Sequence, residues 1–477
     1  MGKPGVYINC DTFNFDADSA AFDHAMPAFR HMQVKSSDFY KLRGNVETIR
    51  PLVEMIFDEI IDALITPLTP EETTKPTREN DEDGPAVFRY ISRSYPMACE
   101  EFGRDFLARR WGDGLPLVPP TSELVSWMLS GTTRSPDEVI GTMKPKLGTA
   151  TIEKIAVNAV MAGAKPEYFP VIISAMEAIL DPDFDHLHVL ASAGSFSFMI
   201  VVSGPIAKEI NMNSGIGFLG HGWRANSSIG RSIRLATINI GRTWPGLNDM
   251  AITGRVNPHT FFTFPENDAS PWRPYHTTQG FQPDESCVTV ASIANSGHQA
   301  SHYGGMIGTW TADSVMDNIV DRLILRDRPL YPRWGITGMV LQKTTNNHYI
   351  ILFPELVSEL NKMGFDQESL RHELYRRIAV RYEDLTEDDE KGIRQAIENG
   401  AIPKERKAVF EKALNPGEMV PVLVSPDCIH FFVTGGDPGC SFSFSYQRVP
   451  LYAPKAILTK RITDAALTNA GRKTAAR

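Results

Sequence analysis

Between Thr151 and Gly204 the chain switches its apolar period from helical to strand-like, and that switch limits the folds open to it. TIEKIAVNAVMAGAKPEYFP carries apolar side chains at helical spacing and is stopped by Gly163 and Pro166, after which PVIISAMEAIL resumes the helical period. These two runs predict a packed helix pair. SFSFMIVVSG, next along, is short and rich in β-branched and aromatic residues, as are HLHVLASA, CVTVASIA, NHYIILFP and PVLVSP. The expected class is therefore mixed α/β. With 42% hydrophobic residues in 477, the chain has ample material for a core.

Composition shifts suggest the organisation. Residues 44–66 have helical periodicity, PLTPEETTKPTRENDEDGP is nearly devoid of apolar side chains, and a second helical run covers Pro96–Arg110. A boundary near residue 100 is expected, making residues 1–100 a helical arm and linker and residues 101–345 a central α/β body. Residues 346–460 read as a smaller C-terminal α/β lobe, with helical ELVSELNKMG and QESLRHELYRRIAVRY before strand-like IHFFVTGG. Residues 461–477 read as a tail without an apolar cluster.

A net charge of -9 and a pI near 5.8 remove the attraction that phosphate backbones exert on basic proteins, so nucleic acid is not expected as a partner. No run approaches the roughly 18 apolar residues of a membrane span, and the first twenty residues lack a basic region followed by an apolar core. A cytoplasmic location off the membrane is the expectation, and a homo-oligomer is compatible with it. Cys10, Cys99, Cys287, Cys428 and Cys440 never form C-x-x-C, which suggests neither a disulfide scaffold nor a thiolate zinc site. A Walker sequence and a strand-linked GxGxxG are both absent, so no nucleotide cofactor is indicated.

Residues 215–241, GIGFLGHGWRANSSIGRSIRLATINIG, crowd glycines and polar side chains around three arginines at the start of a helical run. Asn226, Ser227 or Ser228 can cap that helix, leaving N–H groups directed into the loop. Arg224, Arg231 and His221 would join Asn226 and Ser227 in binding a carboxylate or phosphate. The competing reading is that the arginines only tie acidic loops together. Arg234, further along the helix, is expected to be structural.

Two other stretches carry acid–base candidates. Lys154 and Asn158, spaced i, i+4, share a helix face, with Glu153 about 100° around it. FFTFPENDASPWRPYH gathers Glu266, Asn267, Trp272 and His276 in a proline-bounded segment, where burial would raise Glu266 toward neutrality. Solvated charges and a rigid loop are the competing readings. His298 and His302 are four apart and could hold a divalent metal on a helix, and His186 and His188 would share one strand face.

WGDGLPLVPPT, TIEKIAVNAVMAGAKPEYFP, GHGWRANSSIGRSIRL, PENDASPW and FVTGGDPG resemble, in this order, a poorly characterised bacterial family related to the UGSC thiol/selenol proteins. The likeness covers about residues 101–450 and implies that these blocks meet in one structure. The naming tetrapeptide is absent: AGSF at Ala193–Phe196 has no thiol, and GCSF at Gly439–Phe442 has Cys440 without a second cysteine. Thiol-linked redox chemistry therefore ranks behind acid–base chemistry on a small anionic organic substrate, of lyase or hydrolase type. In that reading Lys154, Glu266, Asn158 and Glu153 are catalytic, while Arg224, Asn226, Ser227, Arg231, Asn267, Trp272 and His221 bind substrate. A metal-dependent hydrolase or lyase using His298 and His302, and a non-catalytic metabolite-binding or assembly protein, are the alternatives.

Overall fold

The structure is a computed structural model that describes residues 5–11, 21, 30–35, 37, 46–73, 87–294, 311–324, 347–436, 443–447 and 455–463. Its fold is mixed α/β, as the change of period predicts. A parallel strand pair, β1 (Tyr7–Cys10) and β2 (His31–Val34), precedes the helix α1 (Val46–Ile65). Arg30 donates to the carbonyls of Ala63, Thr66 and Pro67 and so satisfies acceptors that the end of α1 leaves open. In α2 (Tyr95–Ala108), Phe102 and Phe106 form an i, i+4 stripe that packs on Met161, Leu235 and Ile238. The boundary expected near residue 100 thus falls inside a helix docked on the central body.

After α3 (Ser122–Leu129), the hairpin of β3 (Val139–Met143) and β4 (Gly148–Thr151) leads into α4 (Ile152–Met161) and α5 (Phe169–Ile179). Thr151 caps α4 by accepting from the Lys154 N–H, and Gly163 turns the chain out at φ 76°. HLHVLASA is a helix, α6 (His186–Ala191), and not a strand: Asp185 accepts from the His188 N–H and starts the turn. The strand face expected for His186 and His188 therefore does not exist. His186 is buried and accepts from the Lys144 N–H.

β5 (Phe196–Ser203) is buried throughout and is followed by α7 (Arg224–Asn239), β6 (Phe262–Pro265) and β7 (Cys287–Ala294). Beyond α8 (Ala312–Ile324) come β8 (Asn347–Leu352), α9 (Pro354–Lys362) and α10 (Gln367–Arg377). β9 (Ala379–Arg381), α11 (Glu387–Glu398), α12 (Lys407–Ala413), β10 (Met419–Pro421) and β11 (Ile429–Val433) follow, then β12 (Ser443–Gln447) and β13 (Ile457–Arg461). β10 pairs only with β9 and ends at Pro421, so PVLVSP contributes just its first residue to a strand.

The main sheet runs β11-β8-β12-β7-β5-β6, with β13 also paired to β7. Side-chain alternation divides its residues among three cores. Phe198, Ile200, Val202, Val288 and Val290 pack beneath α4, α5 and α7. Ile350, Leu352, Phe431 and Val433 pack beneath the helices that follow residue 311. The opposite face of the same strands gathers Met199, Val201, Phe262, Phe264, Tyr349, Ile351 and Phe432 into a core of its own. The terminal strands of the order meet at their carboxyl ends, where the Asn267 N–H donates to Val433 O and the Thr434 hydroxyl to Pro265 O. The sheet is curled, and the proposed lobe shares it with the proposed central body.

Close approach fixes how α7 lies on this sheet. A Cβ on Gly230 would sit 1.8 Å from Thr260 O, so the helix can reach the entry to β6 only at a glycine. No helix among the described residues is long and apolar enough to cross a membrane.

Candidate acid–base cavity at the end of the curled sheet

β5 and β6 are parallel and finish side by side, so Ser203 and Glu266 emerge together at their carboxyl ends, the usual position for ligands on such sheets. The Ser203 hydroxyl donates to Glu266 Oε2 at 2.6 Å, and the Tyr275 N–H lies 2.9 Å from both carboxyl oxygens. FTFP is therefore a strand whose next residue is a pinned carboxyl, in a segment for which a rigid loop was the competing reading. Burial pushes that carboxyl up to about 7, against the opposing hydrogen bonds from Ser203 and Tyr275. It lines a cavity of about 460 Å³ with Gly204, Lys208, Glu209, Asp268 and Ser270.

Asn267 also reaches this cavity, but its polar atoms are occupied. Its Nδ2 donates to Ser214 O and Gly435 O, both at 3.0 Å, while Oδ1 accepts from the Ala269 N–H. It staples the loops behind the cavity. Trp272 is no cavity wall: it is buried against Phe431 in the core beneath the later helices, and its Nε1 donates to Asn361 Oδ1 at 2.8 Å. His276 is fully buried, with Nε2 3.0 Å from Gln282 O.

Ser203, Lys208, Tyr275 and His430 were missed from sequence. Tyr275 holds Glu266 through its backbone, and its hydroxyl lies 3.0 Å from His430 Nδ1. His430 Nε2 in turn lies 2.7 Å from Asn347 Oδ1. Burial pushes the Tyr275 phenol up and the His430 imidazole down to about 3, so this relay is neutral at physiological pH. The alternation in IHFFV, which puts His430 on the Phe432 face, was the available signal. Nothing in the sequence around Lys208 pointed to it.

The glycine-rich loop holds chiefly itself. α7 starts at Arg224, earlier than expected, with Trp223 at its cap position and no side-chain cap. Asn226 is buried inside the helix start; it accepts from the Asn213 N–H and donates to the carbonyls of Asn213 and Phe218. Ser227 is half-buried in the first turn, and His221 is exposed. Arg224 is exposed and donates from Nε to Gly163 O. Arg231 closes a two-point pair on Asp113, with Nε and Nη2 at 2.8 and 2.9 Å from its oxygens. Burial alone would raise the Asp113 carboxyl, but Arg231 more than offsets it and holds the group below the usual range.

Lys154 and Glu153 lie on the exposed side of α4, and the Lys154 ammonium donates to Thr149 O. Asn158 is buried, where it accepts from Asn239 Nδ2 at 2.6 Å and locks α4 to α7. The cavity lining includes neither Lys154 nor Arg224, so the expected convergence of Lys154, Arg224 and Glu266 does not occur. The quoted blocks meet in pairs instead: WGDGLP with α7 through Asp113 and Arg231, MAGAKP with α7 through Gly163 and Arg224, and PEND with TGG through Asn267 and Gly435.

His298, His302 and Cys440 lie outside the described residues, and among the described residues no cluster of three metal-ligating side chains occurs. Comparison with known proteins returned no matching family model, curated protein or solved structure.

Proposed function

We propose that the chain is an enzyme that performs acid–base chemistry on a small polar molecule in the cavity at the ends of β5 and β6, with Glu266 as the proton carrier. One observation carries this reading: a carboxyl fixed at three points by Ser203 and Tyr275 borders a cavity of about 460 Å³ and titrates near 7. Such a group is available as acid and as base at neutral pH, which suits lyase- or hydrolase-type cleavage or addition at a carbon–heteroatom bond. The lining revises the substrate class. Lys208 is its one cationic side chain, against Glu209, Asp268 and Glu266, so the surroundings favour a neutral, cationic or zwitterionic substrate over a simple anion.

The test is consumption of compounds from a library of small amines, amino acids and hydroxy acids, followed by mass spectrometry at pH 7. A compound consumed by the wild type should survive with Glu266→Gln while still raising that variant's melting temperature. Equal consumption by Glu266→Gln would remove Glu266 from the chemistry.

A further inference from the structure

Two opposite charges on the lining of the Glu266 cavity are unspent. Lys208 and Asp268 are both exposed, and among the described residues neither side chain makes a hydrogen bond or an ion pair. The other two acids of the lining are occupied: Glu209 is already engaged, and Glu266 is held by Ser203 and Tyr275. Exposed opposite charges elsewhere close on one another, as Lys455 does with Asp183 and Lys460 with Asp181. Lys208 and Asp268 line one cavity without doing so.

Backbone, and not mutual attraction, sets their separation. Lys208 belongs to the short helix Ile206–Glu209, which follows β5 through Gly204. A Cβ on Gly204 would lie 2.2 Å from Glu285 O, and its φ is 86°, so this turn seats only with glycine. The Ile206 N–H then donates to Ser286 Oγ and fixes the start of the helix. Asp268 lies on the β6 side, two residues past Glu266. Its turn is closed by the Ser270 N–H donating to Asn267 O, and Asn267 is stapled to Ser214 O and Gly435 O. A molecule that reaches both charges spans the seam between β5 and β6, where Glu266 meets Ser203.

Each simpler ligand leaves part of this lining unanswered. A carboxylate suits Lys208 but meets the negative charge of Asp268, an amine meets the reverse, and a neutral molecule pairs with neither. We propose that the cavity selects a compact zwitterion of the amino-acid type, its carboxylate paired with Lys208 and its ammonium with Asp268. This inference rests on the Glu266 cavity being the site of action and narrows the substrate class given above to its zwitterionic member. Lys208 and Asp268 set specificity, and proton transfer stays with Glu266.

Binding, and not turnover, tests the proposal, on the full chain as wild type and as Glu266→Gln. A thermal-shift panel of the coded amino acids, β-alanine and γ-aminobutyrate selects the probe, and calorimetric titration compares it with its deaminated acid and its decarboxylated amine. The zwitterion should bind roughly 5- to 10-fold more tightly than either half. Lys208→Ala should reduce it to the affinity of the amine without weakening the amine, and Asp268→Asn to that of the acid without weakening the acid. A misfolded variant would weaken all three ligands together, so this crossed pattern reads the contacts themselves. No binding by any zwitterion of the panel, an acid or amine bound as tightly as the zwitterion, or unchanged zwitterion affinity in either variant would each overturn the proposal. A substrate without both charges, consumed through Glu266, would overturn it too while leaving Glu266 in place; consumption by Glu266→Gln equal to the wild type's would remove Glu266 from the chemistry and leave these affinities as they are.

Discussion

Glu266 makes its environment measurable through pH. Its folded carboxyl titrates near 7, above the roughly 4.3 of an unfolded chain, so between these values the folded protein keeps a proton that the unfolded one has lost. Its contribution to stability is present in full below the unfolded value and is lost as pH rises through 7, by up to roughly 4 kcal/mol. Urea unfolding of wild type and Glu266→Gln at pH 5 and pH 8 isolates it: the gap between them should shift in favour of the variant at pH 8, and parallel curves would contradict the burial described for this carboxyl. Glu266 was legible in the sequence because aromatic and proline neighbours announce a rigid, partly dry segment. Arg231 was legible as a cation, and tying an acidic loop was the competing reading for it, but its partner was not legible, since Asp113 lies 118 residues away and no local pattern reports that pairing.

At the scale of elements, long periodic runs were readable and short ones were not. α4, α5, β5 and β7 appear where their periods place them, because burial on one or both faces dictates every residue. HLHVLASA failed because six residues are too few for a period to outweigh one capping carboxylate, that of Asp185. α7 was located correctly but misjudged at its start, where a tryptophan stands in place of the expected polar cap. Its glycine, Gly230, is a packing device. Gly230→Ala gains helix propensity, yet its methyl would meet Thr260 O at 1.8 Å and Thr263 Oγ1 at 2.5 Å. A net destabilisation of roughly 1–3 kcal/mol is expected in thermal or urea unfolding, and a more stable alanine variant would mean that α7 can lift from β6 without loss.

For the whole molecule, the sequence conveyed the class but not the connectivity, because strand order depends on pairings between distant segments. β8 and β11 lie in one sheet with β5 and β7, and Tyr349, Ile351 and Phe432 share a core with Met199 and Phe264. Residues 346–460 expressed alone should therefore show no cooperative thermal transition by circular dichroism; a sharp one would restore them as an independent lobe. The same connectivity sets a timetable for synthesis. β13 covers β7 along Cys287–Ala291, and the Ser174 hydroxyl of α5 donates to Arg461 O across 287 residues of chain. At roughly 5–20 residues per second, a ribosome needs on the order of 15–60 s to travel that distance. During this interval the nascent helices and β5 lack the strand that closes over them, and once β7 has been made its open flank can pair with any extended neighbour. Newly made chains are thus exposed to mispairing on crowded polysomes until Arg461 clears the exit tunnel.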